Sequence, residues 1–213
     1  MQNINRKIHI ETDSKKRQKL QYMQLIFATN NSNKVREIAA VLPAAVKVQS
    51  LAETGINIDI PEPYDTLKEN ASEKSRTIFN LAHQNCFSED TGLEADALNG
   101  APGVRSARYA GEPSDSEKNI EKLLQEMRGK VNRAARFRTI VSLIWNEKEY
   151  FFEGICEGKI IDEKRGEDGF GYDPVFIPNG SDKTFAQMNL EEKNLFSHRK
   201  KAIDKLIEFL KNN

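Results

Sequence analysis

Cysteine is scarce in this chain. Cys86 and Cys156 are its only two, with no CxxC pair, which excludes a disulfide framework and a zinc ribbon. Histidine is scarce too: His9, His83 and His198 cannot build a histidine-rich metal centre. No apolar run reaches the length of a membrane span, and no apolar signal core opens the chain. Neither GxxxxGK[ST] nor GxGxxG occurs, so the two commonest phosphate-cradling loops are missing. Net charge is also absent, with 32 basic against 32 acidic side chains. That balance is uneven along the chain. Residues 1–22 carry six basic and two acidic groups, and the remainder is mildly acidic. An acidic body offers no general attraction to a polyphosphate backbone, which argues against nucleic-acid binding. A reduced, cytoplasmic protein is expected.

What is present suits one large α/β domain. Residues 1–22 are polar and lysine-rich without periodicity and read as a disordered extension; 23–213 read as a single catalytic domain. A strand begins at Met23. Val35, Ile38, Val41 and Leu42 then recur at helical spacing up to Pro43, and Val46 to Leu51 is a short strand. Thr66–Glu69 is a capping-box pattern opening a helix with Leu67, Ala71, Ser75, Ile78 and Ala82 on one face. Cys86-Phe87 reads as a brief strand ended by a turn at Glu89-Asp90-Thr91-Gly92. A second box, Ser114–Glu117, opens another helix. Ala134–Trp145 and Tyr150–Ile161, separated by Asn146–Glu149, predict a long hairpin, and His198–Lys211 an amphipathic helix. The sum is an α/β fold with a long mixed central sheet flanked by helices, in two lobes with a cleft between them.

Four constellations carry possible chemistry. Thr29-Asn30-Asn31-Ser32-Asn33-Lys34 joins a strand to a helix, where backbone N–H groups and the helix dipole suit a phosphate; N-capping alone also accounts for such residues. Glu62 and Glu89-Asp90 offer the hard oxygens that Mg²⁺ prefers, and one of them could take a proton from water. Gly169-Phe170-Gly171-Tyr172-Asp173-Pro174 offers π-faces and an acceptor for a base, or a glycine turn with its aromatics in the core. Lys193 and Ser197-His198-Arg199 could donate to a carbonyl oxygen on a base, or form a solvated helix end. Lys74, mid-helix, reads as a surface lysine.

The order of these motifs, with Ser88-Glu89-Asp90-Thr91-Gly92-Leu93 running on to Gly100-Ala101-Pro102-Gly103-Val104-Arg105-Ser106-Ala107-Arg108-Tyr109, resembles the inosine triphosphate pyrophosphatase (Ham1-like) family over residues 24–210. The resemblance implies that ITP, dITP and XTP are hydrolysed to the monophosphate and pyrophosphate with Mg²⁺ by a two-lobed homodimer. It implies that Thr29 to Lys34 and Lys74 hold the triphosphate, that Asp90 is the catalytic carboxylate and a metal ligand, and that Glu62 or Glu89 is the second ligand. It further implies that Thr91 touches substrate and that Phe170, Gly171, Tyr172, Asp173, Lys193, His198 and Arg199 hold the base. The family loop usually reads Thr-Gly-Asn; here Asn30 replaces the glycine, and asparagine tolerates left-handed geometry best after glycine. Donors facing O6 would reject adenine, whose amino group would leave them unpaired. The rivals are a Maf-like pyrophosphatase acting on pyrimidine or modified nucleotides and a non-catalytic nucleotide-binding module.

Overall fold

The computed structural model describes residues 23–213, so the extension expected over 1–22 lies outside the described residues. The chain builds a mixed, curled sheet of strand order β2-β1-β3-β5-β6-β7, with β4 beside β3. The strands are β1 (Met23–Phe27), β2 (Val46–Ser50), β3 (Cys86–Ala95), β4 (Pro102–Gly103), β5 (Ala134–Trp145), β6 (Lys148–Ile160) and β7 (Phe176–Pro178). β1 runs parallel to β2 and β3; every other pairing is antiparallel. The helices are α1 (Ser32–Ala39), α2 (Leu51–Thr54), α3 (Leu67–Ala82), α4 (Ser116–Glu126), α5 (Leu190–Asn194) and α6 (His198–Asn212).

Strand alternation sorts the core onto two faces. Leu25, Phe27, Phe87, Val141 and Leu143 point to one face, where α6 lays Ala202, Ile203, Leu206, Ile207 and Leu210 on them. Ile26, Cys86 and Ile144 point to the other, against Ile78 of α3. A third cluster, with Leu93, Phe137, Phe176, Phe185, Leu123 and Met127, fills the far end beneath α4. Each of these large side chains contributes about 1.5–3 kcal/mol by leaving water.

Three local expectations change. Glu89-Asp90-Thr91-Gly92 is not a turn: β3 continues through it to Ala95, each residue paired with β5. Gly92 is needed in that strand for close approach, since a Cβ there would lie 2.5 Å from the Gly103 carbonyl oxygen. The second capping box does not form, because Asp115 caps α4 by accepting from the N–H groups of Glu117 and Lys118. At the first box Thr66 does accept from the Glu69 N–H, but its hydroxyl donates to the Glu69 carboxylate. The hairpin turn shortens to Asn146-Glu147, both with positive φ, as the twist of a two-residue turn requires. Finally, α6 crosses β6 at Gly154, where a Cβ would stand 2.0 Å from the His198 carbonyl oxygen.

Candidate active site

β1 pairs with β3 only at Ile26↔Cys86 and Phe27↔Phe87, and β4 joins β3 only at Leu93↔Gly103 and Glu94↔Pro102. Between them, Ser88 to Gly92 have β5 on one edge and no strand on the other. A cavity of about 340 Å³ opens there. Thr29, Asn30, Asn31, Lys34, Glu62, Lys74, Asp90, Thr91, Phe170, Gly171, Tyr172, Asp173, His198 and Arg199 all line it. Motifs up to about 170 residues apart in sequence thus meet at one gap in the sheet, within the ordinary size range of small-molecule sites. Ser32, Asn33 and Lys193 are not in its lining. Leu93, Val104, Ser106, Phe137 and Asn119, which carried no expectation, are.

Alternation along β3 sends consecutive carboxylates to opposite faces. Asp90 points toward α3, where Lys74 donates to Asp90 Oδ1 at 2.8 Å and to Glu62 Oε1 at 2.6 Å. Lys74 is therefore no surface residue. It is 7% exposed, and the attraction of Asp90 and Glu62 overcomes the burial penalty and raises its pKa. Arg108 donates to the other Glu62 oxygen at 3.1 Å. Burial alone would raise Glu62, but Lys74, Lys34 and Arg108 outweigh it and hold that carboxyl below its usual range. Asp90 goes the other way: desolvation wins over Lys74 and Lys34, and its pKa is raised. Its second oxygen, Oδ2, is buried with no hydrogen-bond partner.

Glu89 points toward α6. Arg199 donates to it twice, Nε to Oε2 at 2.7 Å and Nη2 to Oε1 at 2.9 Å, and Lys34 lies 3.2 Å from Oε1. Burial would raise this carboxyl, yet the two cations press it down to about 2. Both Glu89 oxygens are engaged and its side chain is wholly inaccessible, which separates it as a metal ligand from Asp90, with one bare oxygen, and from Glu62, whose side chain is 25% exposed. Glu37, from α1, completes this cluster by accepting from Arg199 Nη1 and from Lys193 Nζ. Lys193 in turn donates to Asp173 Oδ2 at 2.5 Å, and the Phe170 N–H donates to the same oxygen at 2.9 Å. Asp173 is thus spent on shaping its own loop, and burial raises its pKa. Glu37 was missed from sequence; its one signal was an acidic residue three positions after Lys34, beside the core residue Ile38.

The aromatic loop divides its roles. Tyr172 is buried, and its hydroxyl donates to the Ser106 carbonyl at 2.9 Å, so it is a wall rather than a free stacking face. Phe170 is only partly buried, with Lys193 Nζ and the Arg199 guanidinium 5.2 Å and 5.5 Å from its ring centre. His198 is buried, not solvated; its ring stacks on Phe137 at 4.7 Å and Nδ1 has no partner. Desolvation, then the Arg199 and Lys193 charges, push its pKa well below 6.5, so it is a neutral imidazole.

The Thr29–Lys34 loop keeps its form without left-handed geometry at Asn30. That residue is not among the non-glycine residues with positive φ, and its side chain donates to the Ile58 carbonyl at 2.9 Å. Asn31 caps α1 by accepting from the N–H groups of Asn33 and Lys34.

The cavity's donors fit Mg²⁺. Asp90 Oδ2 is a buried oxygen with no hydrogen-bond partner, and Glu62 shares the Lys74 ammonium with Asp90. Among the described residues no group of three or more candidate ligands occurs. Mg²⁺ is commonly bound by only one or two carboxylates, with water and phosphate oxygens completing its shell.

The sequence profile of the Ham1 family matches residues 25–209. A dITP/XTP pyrophosphatase of Flavobacterium psychrophilum is 49% identical over 190 residues, covering 89% of this chain and 100% of that protein. The dITP/XTP pyrophosphatase of Bacillus subtilis is 44% identical, covering 88% of this chain and 96% of that one. Among solved structures, the Staphylococcus aureus Ham1 protein superposes with a TM-score of 0.80 at 38% identity, covering 89% of this chain and 99% of that one. A HAM1 protein from Coxiella burnetii gives 0.82 at 34% identity, covering 90% and 100%.

Proposed function

The chain belongs to the Ham1 family, and from that premise we propose that it hydrolyses non-standard purine nucleoside triphosphates (ITP, dITP, XTP) to the monophosphate and pyrophosphate. The observation that carries the reading is Asp90 Oδ2, a buried, unpartnered carboxylate oxygen on a cavity that Lys34, Lys74, Phe170, His198 and Arg199 also line.

Lys34 and Lys74 would meet the phosphates beside the start of α1. Lys74 fixes Asp90 through Oδ1 and leaves Oδ2 to accept the proton of the attacking water. The water oxygen bonds to the α-phosphorus, the bond from that phosphorus to the bridging oxygen breaks, and pyrophosphate leaves. Asp90 and Glu62 would hold Mg²⁺, which when bound neutralises charge on the non-bridging oxygens. Phe170 presents a ring to the purine, and Arg199 and the neutral His198 present nitrogen donors to its 6-oxo group. Lys193 acts behind the wall, through Asp173, on the shape of that loop.

A cytoplasmic homodimer acting on free nucleotides, without a nucleic-acid or membrane partner, completes the proposal. Among the described residues no helix is long and apolar enough to cross a membrane. The β5–β6 face beyond α3 carries Arg136 and Arg138 paired with Glu94, Glu153 and Glu157 next to exposed Phe151, which supports a second copy packing there.

The deciding experiment incubates purified protein and Mg²⁺ with ITP, XTP, GTP, ATP and dTTP, and assays pyrophosphate and orthophosphate separately. Pyrophosphate from ITP and XTP with little from ATP or GTP is expected. Pyrophosphate mainly from dTTP would make the enzyme Maf-like, and orthophosphate alone would mean attack at another phosphorus.

A further inference from the structure

Lys34, Glu89 and Arg199 form an unbroken line of ion pairs, buried at Glu89 and Arg199 and partly exposed at Lys34, that joins the residues read above as phosphate-binding to those read as base-binding. Glu89 is its middle member. Its side chain is wholly inaccessible, it holds Arg199 through two hydrogen bonds at 2.7 Å and 2.9 Å, and Lys34 lies 3.2 Å from the oxygen that also receives Arg199 Nη2. Because that oxygen serves both cations, what happens to one is felt by the other.

We propose that Glu89 is a positioning residue that couples triphosphate recognition at Lys34 to base recognition at Arg199. The inference rests on the functional reading above and deepens it. When a phosphate draws the Lys34 ammonium away, Glu89 is left to Arg199 alone. The Arg199 Nη2–Glu89 Oε1 bond, already formed beside the bonds from Nε to Glu89 and from Nη1 to Glu37, then no longer shares its acceptor with Lys34 and holds the guanidinium more firmly, so the base finds a better-ordered donor. Ordering accomplished by the first ligand does not oppose the second, which makes the two ends cooperative. A substrate carrying both a polyphosphate and a 6-oxo purine gains from both ends at once, whereas pyrophosphate and a nucleoside bound singly do not.

The test measures inosine binding to the full chain by calorimetry, with and without saturating inorganic pyrophosphate. In the parent protein pyrophosphate should tighten inosine by about fivefold or more. In Glu89→Gln the tightening should vanish, because the neutral amide no longer ties the two cations together. Should that variant fail to fold, Lys34→Met decides: it breaks the line at its partly exposed end, and at saturating pyrophosphate it should likewise show no tightening. A merely structural Glu89 would weaken inosine equally with and without pyrophosphate. The proposal is overturned if the parent shows no tightening, or if either folded variant keeps it. Inosine binding no tighter than adenosine would be a different failure, removing the base-end reading itself.

Discussion

Glu89 and Asp90 are neighbours on one strand, both buried, and their surroundings set them to opposite tasks. Glu89 faces α6 and is sealed by a guanidinium and an ammonium until no oxygen is left over. Asp90 faces α3, where one lysine holds one oxygen and the other is left bare. Burial acts on both in the same direction; the number and placement of cations decides the outcome, with Glu89 pressed down to about 2 and Asp90 raised. A saturated carboxylate holds other groups in place, and an unsaturated one is available to a proton or a metal ion. The strand's twofold alternation alone separates them.

Removing the bare oxygen should give the largest effect. Asp90→Asn is expected to lower kcat by about 10²–10⁴-fold, the range for loss of a general base. Its fold should persist, since the amide keeps an oxygen to accept from Lys74 and Glu62 still balances that ammonium. Turnover near the parent rate would end the assignment.

Breaking the sealed side should instead cost stability. Arg199→Met leaves Glu37 and Glu89 buried without their main cation and should lower the unfolding free energy in urea by about 3–5 kcal/mol. The same pair shapes the acid limb of stability. Glu89 has a folded pKa of about 2 against an ordinary 4.5, so it stabilises the fold fully above 4.5, and that contribution drains away as pH falls toward 2. Unfolding measured across that window should show a shallower pH slope in Arg199→Met than in the parent.

A pair on the surface provides the smallest effect and the control. Arg76 meets Glu149 at 2.5 Å but is 62% exposed at its side chain. Arg76→Ala should change stability by about 0–1 kcal/mol and leave turnover as it was. A loss as large as that of Arg199→Met would mean that burial does not separate the clusters.

Much of the fold was legible because period-two and period-3.6 patterns report burial directly. The long hairpin, the strand from Met23 and the α6 stripe all lie where the apolar spacing puts them. Asp-Thr-Gly was not legible, because turn chemistry and a glycine required by a neighbouring strand share the same letters, and only the position of Gly103 tells them apart. Lys74 was misread for a related reason: a lysine on a helix is solvated by default unless carboxylates wait for it, and Glu62 and Asp90 arrive from elsewhere in the chain. Glu37 carries the same lesson across 156 residues, the separation between it and Lys193. Local rules read which residues point inward; they do not read which inward-pointing charges will meet.

Gly154 shows how far from the ligand specificity can be set. It touches nothing in the cavity, yet the bare backbone there lets the first turn of α6 sink onto β6. His198 and Arg199 reach the pocket floor from that turn. The residue at 154 therefore works as a depth stop for the base-reading donors. A single methyl group at that point would lift the helix and shorten their reach. A change in nucleobase preference could thus arise behind the sheet, at a site no inspection of pocket-lining residues would reveal.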